Sequence, residues 1–221
     1  MLFDFEGTLV DFQWKLSEAV RETLAMLKTS GLPTERLRKK KYSTLLTEAM
    51  DLAHEIGRSA EEIRKKIDAI YDLYDEDALP RWNMRPGAKE FLQTLKGKNV
   101  KSALVSNVGR RTLEKALTKL DLEDLFEVTV TRNDVRRLKP NGEGIRLALR
   151  RLKAGKDRAV FVGDSLDDVG AAKDAGLKVL IILGGENPKA ELLAANPDFL
   201  FRDFSELSSL FETHLQIMNR L

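Results

Sequence analysis

Two carboxylates, Asp4 and Glu6, follow a short apolar run and lead into Gly7-Thr8. If strand geometry persists, side chains at that spacing share a face, and Gly7 lets the backbone bend away without a Cβ penalty. Such a pair can divide phosphoryl-transfer chemistry, one carboxylate attacking phosphorus while the other handles the proton. Two further apolar runs end in reactive groups. Val100-Lys-Ser-Ala-Leu-Val-Ser-Asn107 closes on the hydroxyl of Ser106 and the amide of Asn107. Ala159-Val-Phe-Val-Gly-Asp-Ser-Leu-Asp-Asp168 has the continuous apolar character of a strand buried in a parallel sheet and closes on Asp164, Asp167 and Asp168. A lone cation, Lys139, sits before Pro140 and the helix-like stretch 144–153. In open parallel sheets ligands bind beyond the carboxyl ends of the strands, so these four clusters are expected to converge on one crevice.

The elements that must position them alternate regularly over residues 85–221. The pattern predicts helix 86–96, strand 100–105, helix 109–119, strand 126–130, helix 142–153, strand 159–163, helix 167–175 and strand 178–183. A short apolar run at 198–201 and a helix from Ser205 close the chain. That alternation implies an α/β fold, a doubly wound parallel sheet with helices on both faces. Between Asp11 and Arg85 the period changes to a helical one. Val20, Leu24 and Leu27 mark one apolar stripe; Leu45, Met50, Ala53 and Ile56 mark a second. Ser59 with Glu62 forms a capping-box pattern ahead of a third stripe, Ile63, Ile67, Ile70, Tyr71 and Tyr74. The expected division is a core of residues 1–13 and 84–221 and a helical unit of residues 14–83, hinged near residues 12–13 and 82–84.

Composition fits this architecture. Of 221 residues, 43% are hydrophobic and 33% charged, the balance of a folded globular chain rather than a disordered one. No apolar run approaches the roughly 20 residues that span a bilayer, and the N-terminus lacks signal-peptide regions, so no membrane association and a cytoplasmic location are expected. The absence of cysteine excludes disulfides, thiolate metal sites and a thiolate nucleophile. A formal charge of +2 gives no reason to invoke nucleic acid. Arg36-Leu-Arg-Lys-Lys-Lys41 reads as a solvated helix face, lacking aromatics interleaved for base stacking. His54 and His214 fall on helical patterns without partners and read as structural. Trp14, Arg81 and Trp82 are candidates to face a substrate from the helical side or to pack as core.

Taken in order, the four clusters resemble the motifs of the haloacid dehalogenase-like hydrolase superfamily, most of whose members are magnesium-dependent phosphatases. The first motif stands as Asp4-Phe-Glu-Gly-Thr8, with Glu6 where the family normally has Asp. The second stands as Leu104-Val-Ser-Asn107, the third as Lys139-Pro140 and the fourth as Gly163-Asp-Ser-Leu-Asp-Asp168. The helical unit is placed like the cap of phosphoglycolate phosphatase-like members. The resemblance implies hydrolysis of a small phosphomonoester, with Asp4 as nucleophile and Glu6 as acid and base. It implies Mg²⁺ held by Asp4, Asp164, Asp168 and the backbone carbonyl of Glu6, and phosphoryl contacts from Ser106, Asn107 and Lys139. Asp167 and Asp168 compete for one role, and the family spacing favours Asp168. A phosphomutase would use the same first residues. A haloacid dehalogenase is disfavoured by Glu6 and the fourth-motif carboxylates, and a catalytically weak binding or regulatory protein on the same fold stays open. A monomer or homodimer is expected.

Overall fold

Each strand of the core alternates apolar residues between two faces, and both faces are covered. The computed structural model describes residues 1–218, with side chains over residues 1–213, so the side chain of His214 lies outside the described residues. Six strands, β1 (Leu2–Phe3), β2 (Ala103–Val105), β3 (Val128–Val130), β4 (Val160–Gly163), β5 (Lys178–Ile182) and β6 (Phe199–Phe201), form one parallel sheet in the order β3-β2-β1-β4-β5-β6. Leu2 registers with Ala103 and Phe161, and Phe161 with Val179; this row packs into one core layer. The neighbouring row, Phe3 with Leu104, Val162 and Leu180, packs into the other. Burial on both faces is why the runs read as continuously apolar.

Parallel strands need crossover connections, and the chain supplies helices for them as α4 (Ala88–Gly97), α5 (Arg110–Lys119), α6 (Glu143–Leu152), α7 (Leu166–Ala175) and α8 (Lys189–Ala194), with α9 (Phe204–Met218) following the last strand. The strand order reverses between β1 and β4, and such a switch point opens a crevice at the carboxyl ends of the two strands. Asp4 immediately follows β1 and Asp164 immediately follows β4. Several elements are shorter than expected. β2 begins at Ala103, not residue 100, because the N–H of Ser102 donates to the Glu127 carboxylate at 2.6 Å and the ladder starts only beyond it. β1 spans two residues; Asp4 N still donates to Val162 O at 2.9 Å, and the chain then turns away at Gly7, whose φ is +85°.

The helical unit consists of α1 (Leu16–Thr29), α2 (Tyr42–Glu55) and α3 (Ala60–Ala78), each packed on the other two. Ser59 caps α3 by accepting from Glu62 N at 3.2 Å, which orders its first turn. α3 buries Ile63, Ile67, Ile70 and Tyr71, as its stripe predicts. In α2 the stripe shifts: Leu45, Leu46, Ala49, Leu52 and Ala53 are buried, Met50 is partly buried and Ile56 is 41% exposed. The helix ends at Glu55, and the left-handed turn at Gly57 carries Ile56 off the buried face. Trp14, just ahead of α1, joins an aromatic cluster with α2 and α3, its ring centroid 4.8 Å from Tyr42, 5.4 Å from Tyr71 and 5.7 Å from Tyr74. The two connections to the core form a hydrogen-bonded neck: Asp11 N donates to Asn83 O at 3.0 Å and Arg85 N to Leu9 O at 2.8 Å, flanking an antiparallel bridge between Val10 and Met84. No described helix is long and apolar enough to cross a membrane.

Candidate functional site

At the β1/β4 switch point three buried carboxylates, Asp4, Asp164 and Asp168, each bring an oxygen within 4.8 Å of the others. Local geometry fixes all three. Ser165 caps α7 by accepting from Asp168 N at 3.2 Å, while Asp168 Oδ2 accepts from Ser165 N at 3.0 Å and Ser165 Oγ at 2.7 Å. That reciprocal cap explains why Asp168 stands three residues after Ser165. Asp164 is held from both sides, Oδ1 by the Thr8 hydroxyl at 2.7 Å and Oδ2 by the N–H of Glu186 at 2.7 Å. Lys139, itself buried, donates to Asp4 Oδ1 and to Asp168 Oδ1, the latter at 2.7 Å. Among the three aspartates Asp4 Oδ2 is the least engaged oxygen, with only Thr8 Oγ1 at 3.3 Å.

Three carboxylates against one ammonium leave excess negative charge in a dry site. Burial raises Asp4 to about 6, reinforced by Asp168 and opposed by Lys139. Burial, then repulsion by Asp168 and Asp4, raises Asp164 well above the usual carboxylate range. For Lys139 burial acts downward, yet Asp168 and Asp4 outweigh it and the net direction is up, so it stays charged. An all-oxygen donor set with uncompensated charge is what a hard divalent cation such as Mg²⁺ requires, and the residues present therefore fit one.

Glu6 lies beside this centre and serves the neck. Its Oε1 accepts from Gln13 N at 2.8 Å and from Trp82 Nε1 at 2.9 Å, one donor from each connection to the helical unit, while no described protein group donates to Oε2. Burial raises its carboxyl to about 7, against the pull of those two hydrogen bonds. Trp82 is fully buried with its ring edge-on to Phe5 at 5.1 Å, so it is core and anchor rather than a substrate face. Arg81 turns back on Asp77 at 2.7 Å. Ser106 Oγ accepts from Val108 N at 3.2 Å at the carboxyl end of β2. The Asn107 amide is engaged by its neighbours, donating to Tyr42 Oη at 3.2 Å and accepting from Lys139 N at 3.2 Å. Asp167 also reaches the cavity but is separate from the three-carboxylate group, its nearest cation being Lys41 at 3.9 Å.

Several residues that the sequence motifs do not single out complete the arrangement. Arg132, after β3, is 1% exposed and meets three aspartates of α3: Asp68 at 3.2 Å, Asp72, and Asp75 at 2.9 Å. It also donates to Asn107 O at 2.9 Å, while Asp75 accepts from Gly109 N at 2.8 Å and Trp14 Nε1 at 2.9 Å. The helical unit is thus tied to the loop that carries Ser106 and Asn107. Asp4, Glu6, Ser106, Asn107 and Lys139 from the core, with Trp14, Leu16 and Tyr42 from the helices, line one cavity. It leaves about 30 Å³ for the centres of water molecules, room for about two of them.

The pattern of the haloacid dehalogenase-like hydrolase family matches residues 1–182, and the chain belongs to that family. It is a hydrolase of the phosphatase type. Phosphoglycolate phosphatase from Haemophilus influenzae is 27% identical to it over 214 residues, covering 94% of this chain and 96% of the relative. Pyrophosphatase PpaX from Bacillus cereus is 27% identical over 221 residues, covering 100% and 97%. The crystal structure of a hydrolase from Pseudomonas syringae superposes with a TM-score of 0.66 at 25% identity, covering 96% of this chain and 97% of that one.

Proposed function

We propose that the chain is a magnesium-dependent phosphatase that hydrolyses a small phosphomonoester through an aspartyl-phosphate on Asp4. The observation that carries this reading is the buried group of Asp4, Asp164 and Asp168 at the switch point, with Lys139 bonded to two of its members. The two relatives named above act, by their names, on phosphoglycolate and pyrophosphate, which supports phosphate transfer to water as the reaction class.

Asp4 Oδ2, the freest oxygen of the three aspartates, attacks phosphorus; the bond from phosphorus to the leaving oxygen breaks, and that oxygen takes the proton of Glu6. Glu6, now a carboxylate, removes a proton from water. The resulting oxygen attacks the same phosphorus, the bond to Asp4 breaks, and inorganic phosphate leaves with Glu6 reprotonated. Asp4, Asp164 and the carbonyl of Glu6 would hold Mg²⁺, which when bound supplies charge neutralisation for the phosphoryl oxygens. Asp168, with Oδ1 on Lys139 and Oδ2 on three donors, is better placed to orient than to ligate directly. Lys139 neutralises charge shared by Asp4 and the phosphoryl group, and Ser106 and Asn107 donate to phosphoryl oxygens once Asn107 releases Tyr42. We further propose that residues 14–83 act as a cap, whose closure excludes water and brings Tyr42 and Trp14 over the site.

Phosphate release from an aryl phosphate tests this. Turnover should need added Mg²⁺, vanish with a chelator and vanish in Asp4→Asn, whose amide cannot attack. Chelator-resistant turnover, or turnover by Asp4→Asn, overturns the reading.

A further inference from the structure

The inner cavity holds little beyond a phosphoryl group, so the rest of any substrate must extend elsewhere. It opens past Leu16, Tyr42 and Glu186 into a cleft of about 470 Å³ between the helical unit and the loop after β5. That volume lies in the range of small-molecule sites, roughly 300 to 1,000 Å³. Its walls are mixed in an informative way. Leu16, Val20, Tyr42 and Leu166 supply apolar surface, while Glu186 and Glu191 supply carboxylates and Lys41 the only cation lining it among the described residues.

The cations around the two cavities are already committed. Lys139 bonds Asp4 and Asp168; Arg132 is surrounded by Asp68, Asp72 and Asp75; Lys41 faces Asp167 at 3.9 Å. Glu186, at the junction of cavity and cleft, has no cationic side chain within 4.0 Å among the described residues; burial, then Asp167 and Asp168, push its carboxyl up to about 7, with Lys41 acting against them. Beyond the phosphoryl position, then, a leaving group meets apolar surface and an excess of carboxylates. A second carboxylate or phosphate on it would lie against like charge in a partly desolvated space, which like-charge juxtaposition penalises. An uncharged hydroxyl-bearing group instead gives Glu186 a donor and lays its carbon face on Leu16, Val20 and Leu166.

The geometry points to Glu186 as a specificity-determining residue that excludes anionic leaving groups, so that the substrates are phosphomonoesters of uncharged alcohols with an apolar face. This rests on the phosphatase reading above and narrows its substrate class. Lys41, from the other wall, acts against it by offsetting part of the acidic field.

Matched pairs of substrates test it with the full chain and Mg²⁺: phenyl phosphate against its para-carboxylate analogue, and glycerol 1-phosphate against 3-phosphoglycerate. The uncharged member should have the higher kcat/KM by about tenfold, equivalent to about 1.4 kcal/mol. Glu186→Gln, nearly equal in volume, should narrow the ratio at least threefold, and Lys41→Met should widen it. General damage to folding lowers both members of a pair alike, so the ratio reports charge alone. Equal or better turnover of the anionic members overturns the assignment, as does a ratio that neither substitution moves. No turnover of either member would instead remove the phosphatase reading, and this inference with it.

Discussion

Trp82 Nε1 donates to Glu6 Oε1 at 2.9 Å, which joins the second carboxylate of the site to the return connection of the helical unit. The same oxygen takes the N–H of Gln13 from the outgoing connection, so the methylene by which Glu exceeds Asp spans the neck. Glu6→Gln keeps a carbonyl oxygen for both donors and loses only the proton. It should leave the melting temperature within a degree or two of the parent while lowering turnover at least about tenfold for alkyl phosphates, and less for activated aryl esters that need no acid. Glu6→Asp should lose both the reach and the rate. Steady-state rates on the two ester types, with calorimetry, check this; equal alkyl-phosphate rates for parent and Glu6→Gln would remove Glu6 from proton transfer.

Gly185 approaches Asp164 so closely that a Cβ there would sit 2.0 Å from its Oδ2. Gly185→Ala must therefore displace the carboxylate or the loop whose Glu186 N–H holds it. Outer-shell disturbances of this kind weaken metal binding by about 10- to 100-fold. The Mg²⁺ concentration for half-maximal turnover should rise by that order in Gly185→Ala. Gly155→Ala, where nothing lies within 4 Å, should leave it unchanged.

The turn that presents Arg132 is held by Asp134, which accepts from Thr131 N at 2.8 Å and Oγ1 at 2.9 Å and from Arg151 at 3.0 Å. Burial acts to raise its carboxyl, but the Thr131 bonds, Arg151 and the nearby Arg110 prevail and hold it below the ordinary value of 3.8. A folded-state value below the unfolded one stabilises the protein above the unfolded pKa, and that stabilisation is lost as pH falls through the folded one. Asp134→Asn should cost about 1–2 kcal/mol near pH 7, allowing for its partial exposure. The difference should shrink below pH 3.8, read by denaturant titration at both pH values.

What the sequence made legible was whatever depends on local pattern. The strand ends carrying Asp4, Ser106 and Asp164 could be read because parallel strands buried on both faces are continuously apolar, and Ser59 because a cap is specified within four residues. The pairing of Arg132 with Asp75 could not be read, since it joins residues 57 apart that no period relates. Glu186 was equally silent: it reaches Asp164 through its backbone N–H, which any residue but proline would offer. The stripe of α2 misled at Ile56 because its period continues past the point where Gly57 ends the helix.

Arg132 and Asp75, 2.9 Å apart and both buried, fasten α3 to the loop bearing Ser106 and Asn107. Removing one partner of a buried pair strands the other's charge, at about 3–5 kcal/mol. Arg132→Met should therefore lower stability by about that amount, because Asp68, Asp72 and Asp75 lose their common counter-charge. Asp75→Asn should be milder, for its amide oxygen can still accept from Gly109 N and Asp72 and Asp68 stay on Arg132, so that the loss is chiefly the acceptor for Trp14 Nε1. With the donor to Asn107 O gone, Arg132→Met should also raise KM for aryl phosphate more than it lowers kcat, provided the assay is run well below its melting temperature. A variant with parental stability would mean that the three aspartates are hydrated rather than fastened; one with reduced stability and unaltered KM would separate the anchoring of α3 from the positioning of Asn107.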